Sequence, residues 1–502
     1  MGWNPWNFAQ CTDWNETLFY RTALYLNTSG MASLGYRYVN IDDCWMADSR
    51  DAMDNLAWNA SRFPSGIPAL ANYVHSLGLK LGLYLCAGNK TCALKPGSLR
   101  YEAQDIALVS SWGVDLVKVD NCYNEGLLPE TRYVRFTDAI GNVTRPILFM
   151  LCNWGEYIPA LFAPMFANSW RTTYDLRDDY TYMLKMADWN DVSHIYAGPR
   201  SGWNDPDMLQ VGNGNMTLDE YTTHMSLWAL MKAPLLIGTN VLNMTNATAA
   251  LLTNPEVIRI NQDPLGIQGF KRTSEDGKEV WAGLLSGGAI AVALVNRLPT
   301  PALVTVQWYN VNLTSETGCR IRDVWARTYV TGVFSSNFTA NVTAHGTKLL
   351  ILQPALQIAY NKTANASAFT ADLVPRNGND ADVQTFWEST NGPFQIGNPY
   401  WQVDLGSAFN LSSLELVSRQ DGDQPFTRAN YEIRCSNVSD ASNFTVIAAQ
   451  GPEPKEAYST FSAALPSAAV CRYVRVAKLD GTLFNFAELR LYKSVNVFNG
   501  GV

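Results

Sequence analysis

Over residues 1–265, short apolar runs alternate with amphipathic stretches, and this alternation constrains the fold of the 502-residue chain more than any other feature. YRYVNID (36–42), KLGLYLC (80–86), DLVKVD (115–120), PILFMLC (146–152) and APLLIG (233–238) are apolar runs of strand length. Runs of that kind predict strands covered on both faces. Between them, GIPALANYVHSLG (66–78) and YEAQDIALVSSWG (101–113) repeat apolar residues at helical spacing, the second closing on Gly113 as a C-cap. Strand–helix repetition over about 250 residues is the length of a (β/α)8 TIM barrel. A doubly wound open sheet is the alternative, but no Gly-rich phosphate fingerprint follows the first strand. The barrel is the expected α/β fold.

The pattern changes near NQDPLG (261–266). EVWAGLL, AIAVALVN, ALVTVQWY and TKLLILQP follow without helical spacing and predict an antiparallel β-sandwich. The polar, sequon-bearing NKTANASA (361–368) then reads as a linker. The remainder is strand-rich again, with Cys435 and Cys471 placed to pair. The expected division is a barrel at 1–266, a sandwich at 267–356, a linker at 357–371 and an all-β module at 372–494.

Composition narrows the function classes. A chain that is 47% hydrophobic and 16% charged folds into globular domains. Its net charge of −8 leaves no basic surplus for nucleic acid or an anionic membrane surface. No run of 18 apolar residues offers a membrane span. Asn-x-Ser/Thr recurs at a density that predicts a secreted, extracellular glycoprotein, with Asn89, Asn142, Asn243, Asn337 and Asn361 as candidate sites. Nine cysteines agree with a route that permits disulfides, and the odd count leaves at least one thiol unpaired within the chain. GWNPW follows Met1 directly, a start expected at or near a mature N-terminus. His75, His194, His224 and His345 are scattered without HExxH spacing, so neither a metal nor another cofactor is expected. A Ser/His triad would need a G-x-S-x-G elbow, which the sequence lacks.

In a barrel the C-terminal strand ends carry the active site. LVKVDNCY (116–123) puts Lys118, Asp120 and Cys122 at such an end. Two readings compete there: a buried structural ion pair, or the working end of an enzyme strand. The other ends supply Trp3 and Trp6, Asp42 and Asp43, Tyr84, Asn153 and Trp154, then Arg171 and Asp175 in SWRTTYD (169–175). Asp205 and Asp207, flanking Pro206, are assigned to loop structure. One aspartate at a strand end is more often a cap than a catalyst, but a series of them points to chemistry. Carboxylates, amides and indoles around one concave mouth suit hydrolysis of a glycosidic bond, which needs one carboxylate as nucleophile and one as proton donor.

MGWNPWN, NIDDCWM, RFPSGI, GLKLGLYLCAGNKTC, WGVDLVKVDNCY, LCNWGE, SWRTTYD, GWNDPDML and NQDPLG occur in this order. In that order they resemble glycoside hydrolase family 27, the melibiase-type α-galactosidases and α-N-acetylgalactosaminidases, over roughly residues 1–354. The resemblance implies Asp120 as nucleophile and Asp175 as acid/base. It implies that Asp42 and Asp43 bind the galactose 4- and 6-hydroxyls, with Trp6, Tyr84, Lys118 and Arg171 as further sugar contacts. Asn153, at a variable position that helps to read the 2-substituent, joins them with Trp154. Tyr174 replaces the usual Gly or Ala and stands to touch the sugar or narrow the aglycone side. Lys118 and Asp120 are two apart, so they share a strand face, and the ammonium is expected to keep Asp120 ionised at acidic pH. Asp175 must instead hold a proton. The family is retaining, which implies a carboxyl separation of about 5–5.5 Å. Disulfides Cys11–Cys44 and Cys92–Cys122 are implied as well. Cys152 falls at a position often unpaired, while Cys86 and Cys319 have no assigned partner.

YWQVDLGSAFNLSSLELVSR, CRYVRVAKLDG and FAELRLY in the last module resemble a discoidin, or factor V/VIII type C, domain. Such jelly rolls are grouped with carbohydrate-binding modules of family 32, which implies anchoring on a galactose-bearing polysaccharide. The competing role is stability or dimer contacts. The expected protein is therefore a secreted retaining exo-α-galactosidase acting on galactose-containing oligo- or polysaccharides. β-L-Arabinopyranosidase is the alternative, kept open by Tyr174 and opposed by the paired Asp42 and Asp43. α-N-Acetylgalactosaminidase ranks lower, because nothing near Asn153 resembles the small-residue pair tied to N-acetyl recognition. A lectin-like barrel without turnover would most simply lack a catalytic carboxylate, and both are present.

Overall fold

The computed structural model describes the chain except residues 13, 314, 316, 355, 360–361, 368, 370–372, 381–386, 390–397, 419–428, 440–442, 453–459, 466–468, 481–483 and 494–502. Candidate Asn361 and both ends of the expected third module, 372 and 494, lie outside the described residues.

Eight parallel strands form the first sheet: β1 (Gly2–Trp3), β2 (Tyr38–Ile41), β3 (Lys80–Cys86), β4 (Leu116–Asp120), β5 (Leu148–Cys152), β6 (Ser169–Arg171), β7 (Trp203–Asp205) and β8 (Leu236–Ile237). Their order runs β7–β6–β5–β4–β3–β2–β1–β8. A parallel bridge from Leu209, just past β7, to Ile237 of β8 joins the two ends into a TIM-like ring. Helices Ile67–Ser76 and Glu102–Ser111 occupy the stretches with helical spacing. Gly113 has φ +89°, and the chain turns there with the Val114 amide donating to the Val109 carbonyl at 3.2 Å. That left-handed stop needs glycine.

Strand parity fixes which side chains enter the ring. Leu116, Met150, Met208 and Leu236 make a small buried cluster, separate from the large outer core that takes Val117 and Val119. Lys118 and Asp120 share the parity of Leu116, so they stand on its face of β4, toward the C-terminal end.

The second domain packs directly on the barrel. In its six-stranded antiparallel sheet, Val280, Ala282, Ile290, Val292, Leu294, Leu350 and Leu352 face the sandwich interior. The alternate residues Trp281, Ala291, Ala293, Val295, Leu349 and Ile351 join the barrel core. Burial on both faces explains why AIAVALVN and TKLLILQP are continuous apolar runs despite antiparallel pairing. Across the junction, Asp188 of helix Tyr180–Asp191 pairs with Lys271 and Arg297, each at 2.6 Å. Glu279 pairs with the same cations at 2.9 and 2.8 Å.

The C-terminal module is a discoidin-like β domain built on the 18-residue strand Tyr400–Val417, around a core that includes Trp387, Trp401, Phe484 and Phe486. The expected linker is corrected here. Leu356–Gln357 pairs with Tyr492 and Lys493, and Thr363–Ala366 pairs with 401–404, so both belong to the module. In the second segment only Ala364 and Ala366 turn inward, and such a strand carries too little apolar character to read as one. Cys11–Cys44, Cys92–Cys122 and Cys435–Cys471 are disulfide-bonded, while Cys86, Cys152 and Cys319 are buried free thiols.

Candidate active site

The ends of β2, β3 and β4 bring Asp42, Asp43, Tyr84, Lys118 and Asp120 together. Lys118 Nζ lies 2.8 Å from Asp42 Oδ2, and Asn4 Nδ2 donates to the same oxygen at 2.7 Å. Across the β3–β4 pairing, Lys118 is opposite Tyr84, with its ammonium 5.6 Å from the phenol ring centre. Burial pushes the Asp43 carboxyl up, against the amides of Ala93 and Cys44 that donate to it at 2.9 and 2.6 Å. Cys92–Cys122 ties the loop after β3 to the loop after β4, and the Tyr84 hydroxyl reaches Cys92 Sγ at 3.4 Å. Trp3 stays in the outer core, donating its indole N–H to the Thr239 carbonyl.

Asp120 is 7% exposed and accepts the Asn121 amide at 2.8 Å. Desolvation pushes its carboxyl up to about 6, with Lys118 pulling the other way and the Asp175 charge adding to the rise. The expectation that Lys118 keeps Asp120 ionised at acidic pH is thus corrected. The direct ion pair of Lys118 is Asp42, and burial outweighs its remaining pull on Asp120. Asp175 departs from expectation in the opposite sense. Its side chain is 66% exposed, and burial of what remains would raise it, but Arg171 at 3.1 Å outweighs that and holds the carboxyl below its ordinary value. Burial and the Arg171 pairing thus move the two carboxyls in opposite directions, Asp120 up and Asp175 down.

Arg171 organises the segment that carries Asp175. Its Nη2 donates to Asp175 Oδ1 and to the Thr173 carbonyl at 3.0 Å, and its Nη1 lies 3.2 Å from Asp207 Oδ1. Asp207 Oδ2 in turn accepts the Leu176 amide at 2.7 Å. Asp207 thus holds the chain on both sides of Asp175. Asp205 accepts the Asp207 amide at 2.9 Å, and desolvation pushes its carboxyl up to about 6. Both do more than shape a loop, and Asn4, outside the sequence-predicted set, joins the site through Asp42. The signal available was the polar density of WNDPD and GWNPW at strand ends.

Asn153 is fully buried; its Nδ2 donates to the Glu156 carbonyl at 2.8 Å, and its Oδ1 has no partner among the described residues. Trp6, Trp154, Tyr174 and Asp175 line an open cleft of about 1020 Å³. Tyr174 is half-exposed and packs edge-on against Trp189, ring centres 5.8 Å apart. Cys44, Tyr123, Trp154 and Asp207, after β2, β4, β5 and β7, hold φ of +74°, +47°, +60° and +83°. Left-handed backbone is costly for non-glycine residues, so these four turns must be held by their surroundings. Among the described residues no group of three His, Cys, Asp or Glu could hold a metal ion, and no helix is long and apolar enough to cross a membrane. Asn89, Asn142, Asn243 and Asn337 are all exposed.

The family described as "Alpha galactosidase A" matches residues 1–263, "Alpha galactosidase C-terminal beta sandwich domain" matches 275–352, and "F5/8 type C domain" matches 361–489. Alpha-galactosidase 3 of Arabidopsis thaliana is 49% identical over 357 residues, covering 70% of this chain and 81% of that protein. The alpha-galactosidase of Coffea arabica is 50% identical over 355 residues, covering 70% and 93%. Among solved structures, alpha-galactosidase I from Mortierella vinacea superposes with a TM-score of 0.67 at 35% identity, over 70% of this chain and 96% of that one.

Proposed function

The chain belongs to the melibiase family of α-galactosidases, glycoside hydrolase family 27, and on that premise we propose a secreted, retaining exo-enzyme that releases terminal α-D-galactosyl residues. One observation carries the reading. A buried aspartate at the end of β4 lies within electrostatic reach of a second carboxyl held by Arg171. Asp42, Asp43 and Lys118 bind the sugar hydroxyls, Trp6 and Tyr84 supply the aromatic walls, and the free Oδ1 of Asn153 accepts from the 2-hydroxyl.

The Asp120 carboxylate attacks the anomeric carbon while Asp175 gives its proton to the departing glycosidic oxygen, leaving a glycosyl ester on Asp120. Asp175, now ionised, takes a proton from water, whose oxygen displaces Asp120 and restores the starting pair. Between their two macroscopic pKa values the two carboxyls share one proton, and the productive form carries it on Asp175. A sugar that covers the exposed Asp175 carboxyl desolvates it and shifts the proton toward it. The carboxyl separation suited to this route is about 5–5.5 Å.

Asp42 and Asp43, both present and buried, favour galactose over the arabinopyranoside, which lacks the 6-hydroxymethyl group. Exposure of Asn89, Asn142, Asn243 and Asn337 supports glycosylation and secretion, and the discoidin-like module is assigned to polysaccharide anchoring. Parallel assays on nitrophenyl α-galactoside, β-L-arabinopyranoside and α-N-acetylgalactosaminide test the reading. The galactoside should turn over fastest; faster arabinoside cleavage would replace it with the second activity, and no turnover of any of the three would end it.

A further inference from the structure

Trp154 and Tyr174 line two hollows at once. One is the cleft that holds Asp175; the other is a groove of about 340 Å³, which also takes in Trp189, Ile158 and Val192. That volume suits a small-ligand site. Its floor is set by a close backbone approach between the loop after β5 and the chain leaving β6. Gly155 has φ +83°, and a Cβ there would stand 2.4 Å from the Thr172 carbonyl oxygen, so only glycine keeps the floor this low.

The groove's aromatic wall is pre-organised. Trp189 is 40% exposed, and its ring is fixed by the edge contact with Tyr174 and by the Lys185 ammonium 4.7 Å from its centre. The preceding residue, Asp188, is pinned to Lys271 and Arg297 of the second domain. Beside it, Ile158 is 56% and Val192 78% exposed. Apolar surface of this kind, rimmed by polar groups, marks a ligand face.

Chemistry decides the occupant. The proton donor must sit beside the leaving group, and Tyr174, its neighbour in sequence, lines both the cleft of Asp175 and the groove. We propose that this groove is a leaving-group site. It takes the saccharide beyond the scissile bond, with the apolar face of a pyranose stacked on Tyr174 and Trp189. It rests on the α-galactosidase reading and adds a preference for galactosyl residues carried on a longer saccharide over small aryl galactosides.

The test compares kcat/KM for nitrophenyl α-galactoside and for an α-galactosyl-substituted mannooligosaccharide, in wild type, Trp189→Ala and the surface variant Val192→Asp. Truncating an aromatic anchor should lower the oligosaccharide value about tenfold relative to the aryl galactoside, through KM rather than kcat. Val192→Asp should move the ratio in the same direction. An unchanged ratio in both variants would overturn the site, and if self-association were lost in sedimentation as well, it would assign the surface to a second copy of the chain. A wild type that cleaves neither substrate would remove the α-galactosidase reading and this site with it.

Discussion

Two ionic clusters in this chain differ in burial and in the balance of charge. At the domain junction Lys271 and Arg297 face Asp188 and Glu279, cation for carboxylate. Burial raises Asp188, but Arg297 and Lys271 outweigh it and leave the carboxyl below its ordinary value. At the barrel mouth Lys118 and Arg171 face Asp42, Asp43, Asp120, Asp175, Asp205 and Asp207, and there the carboxylates outnumber the cations. Burial then prevails at Asp43, Asp120, Asp205 and Asp207, all pushed up. A balanced network serves the fold, whereas an unbalanced one stores protons where chemistry can use them.

The largest expected effect breaks the mouth. Asp120→Asn should cost roughly four orders of magnitude or more in kcat while the circular dichroism spectrum stays native. Retained turnover would remove the nucleophile from this position. Next comes the junction. Glu279 is buried, and Glu279→Gln leaves Lys271 and Arg297 to share Asp188 alone, so about 3 kcal/mol of stability should be lost in denaturant unfolding. The pH profile of kcat/KM should not move; a moved profile would show that the clusters are not independent. Asp207→Asn weakens the hold on Arg171 and Leu176 and should lower kcat/KM about tenfold to a hundredfold, mostly in kcat.

The smallest effect is in pH dependence. Asp120 and Asp205 rise from 3.8 to about 6, so between those values the native state binds more protons than the unfolded chain. Stability from the mouth should therefore fall as pH rises from about 4 to about 6. Asp188 is lowered, so its contribution is present above pH 3.8 and fades as pH falls through its folded value. Melting temperature should peak at about pH 4, and Asp205→Asn should flatten its decline between about pH 4 and about pH 6. A melting temperature that climbs from pH 4 to pH 6 in the wild type would contradict the burial argument.

Much of this was legible in sequence because the signals are local. β3, β4 and β5 announce themselves as apolar runs, and Lys118 and Asp120 share a face through the period of a strand. β1, β6, β7 and β8 are two or three residues long, too short for periodicity, and exist because the ring must close. Lys118 pairs with Asp42, 76 residues away, and no local pattern encodes such a partner. Asp207 reads as loop because its role depends on Arg171 from the neighbouring strand. The strand Thr363–Ala366 reads as linker because only its two alanines turn inward.

Labelling with a slow mechanism-based galactosyl fluoride, followed by peptide mass spectrometry, tests the central claim most directly. The account expects a single galactosyl adduct on the peptide bearing Asp120, absent in Asp120→Asn. An adduct on Asp175, or turnover that inverts the anomeric centre without any adduct, would contradict it.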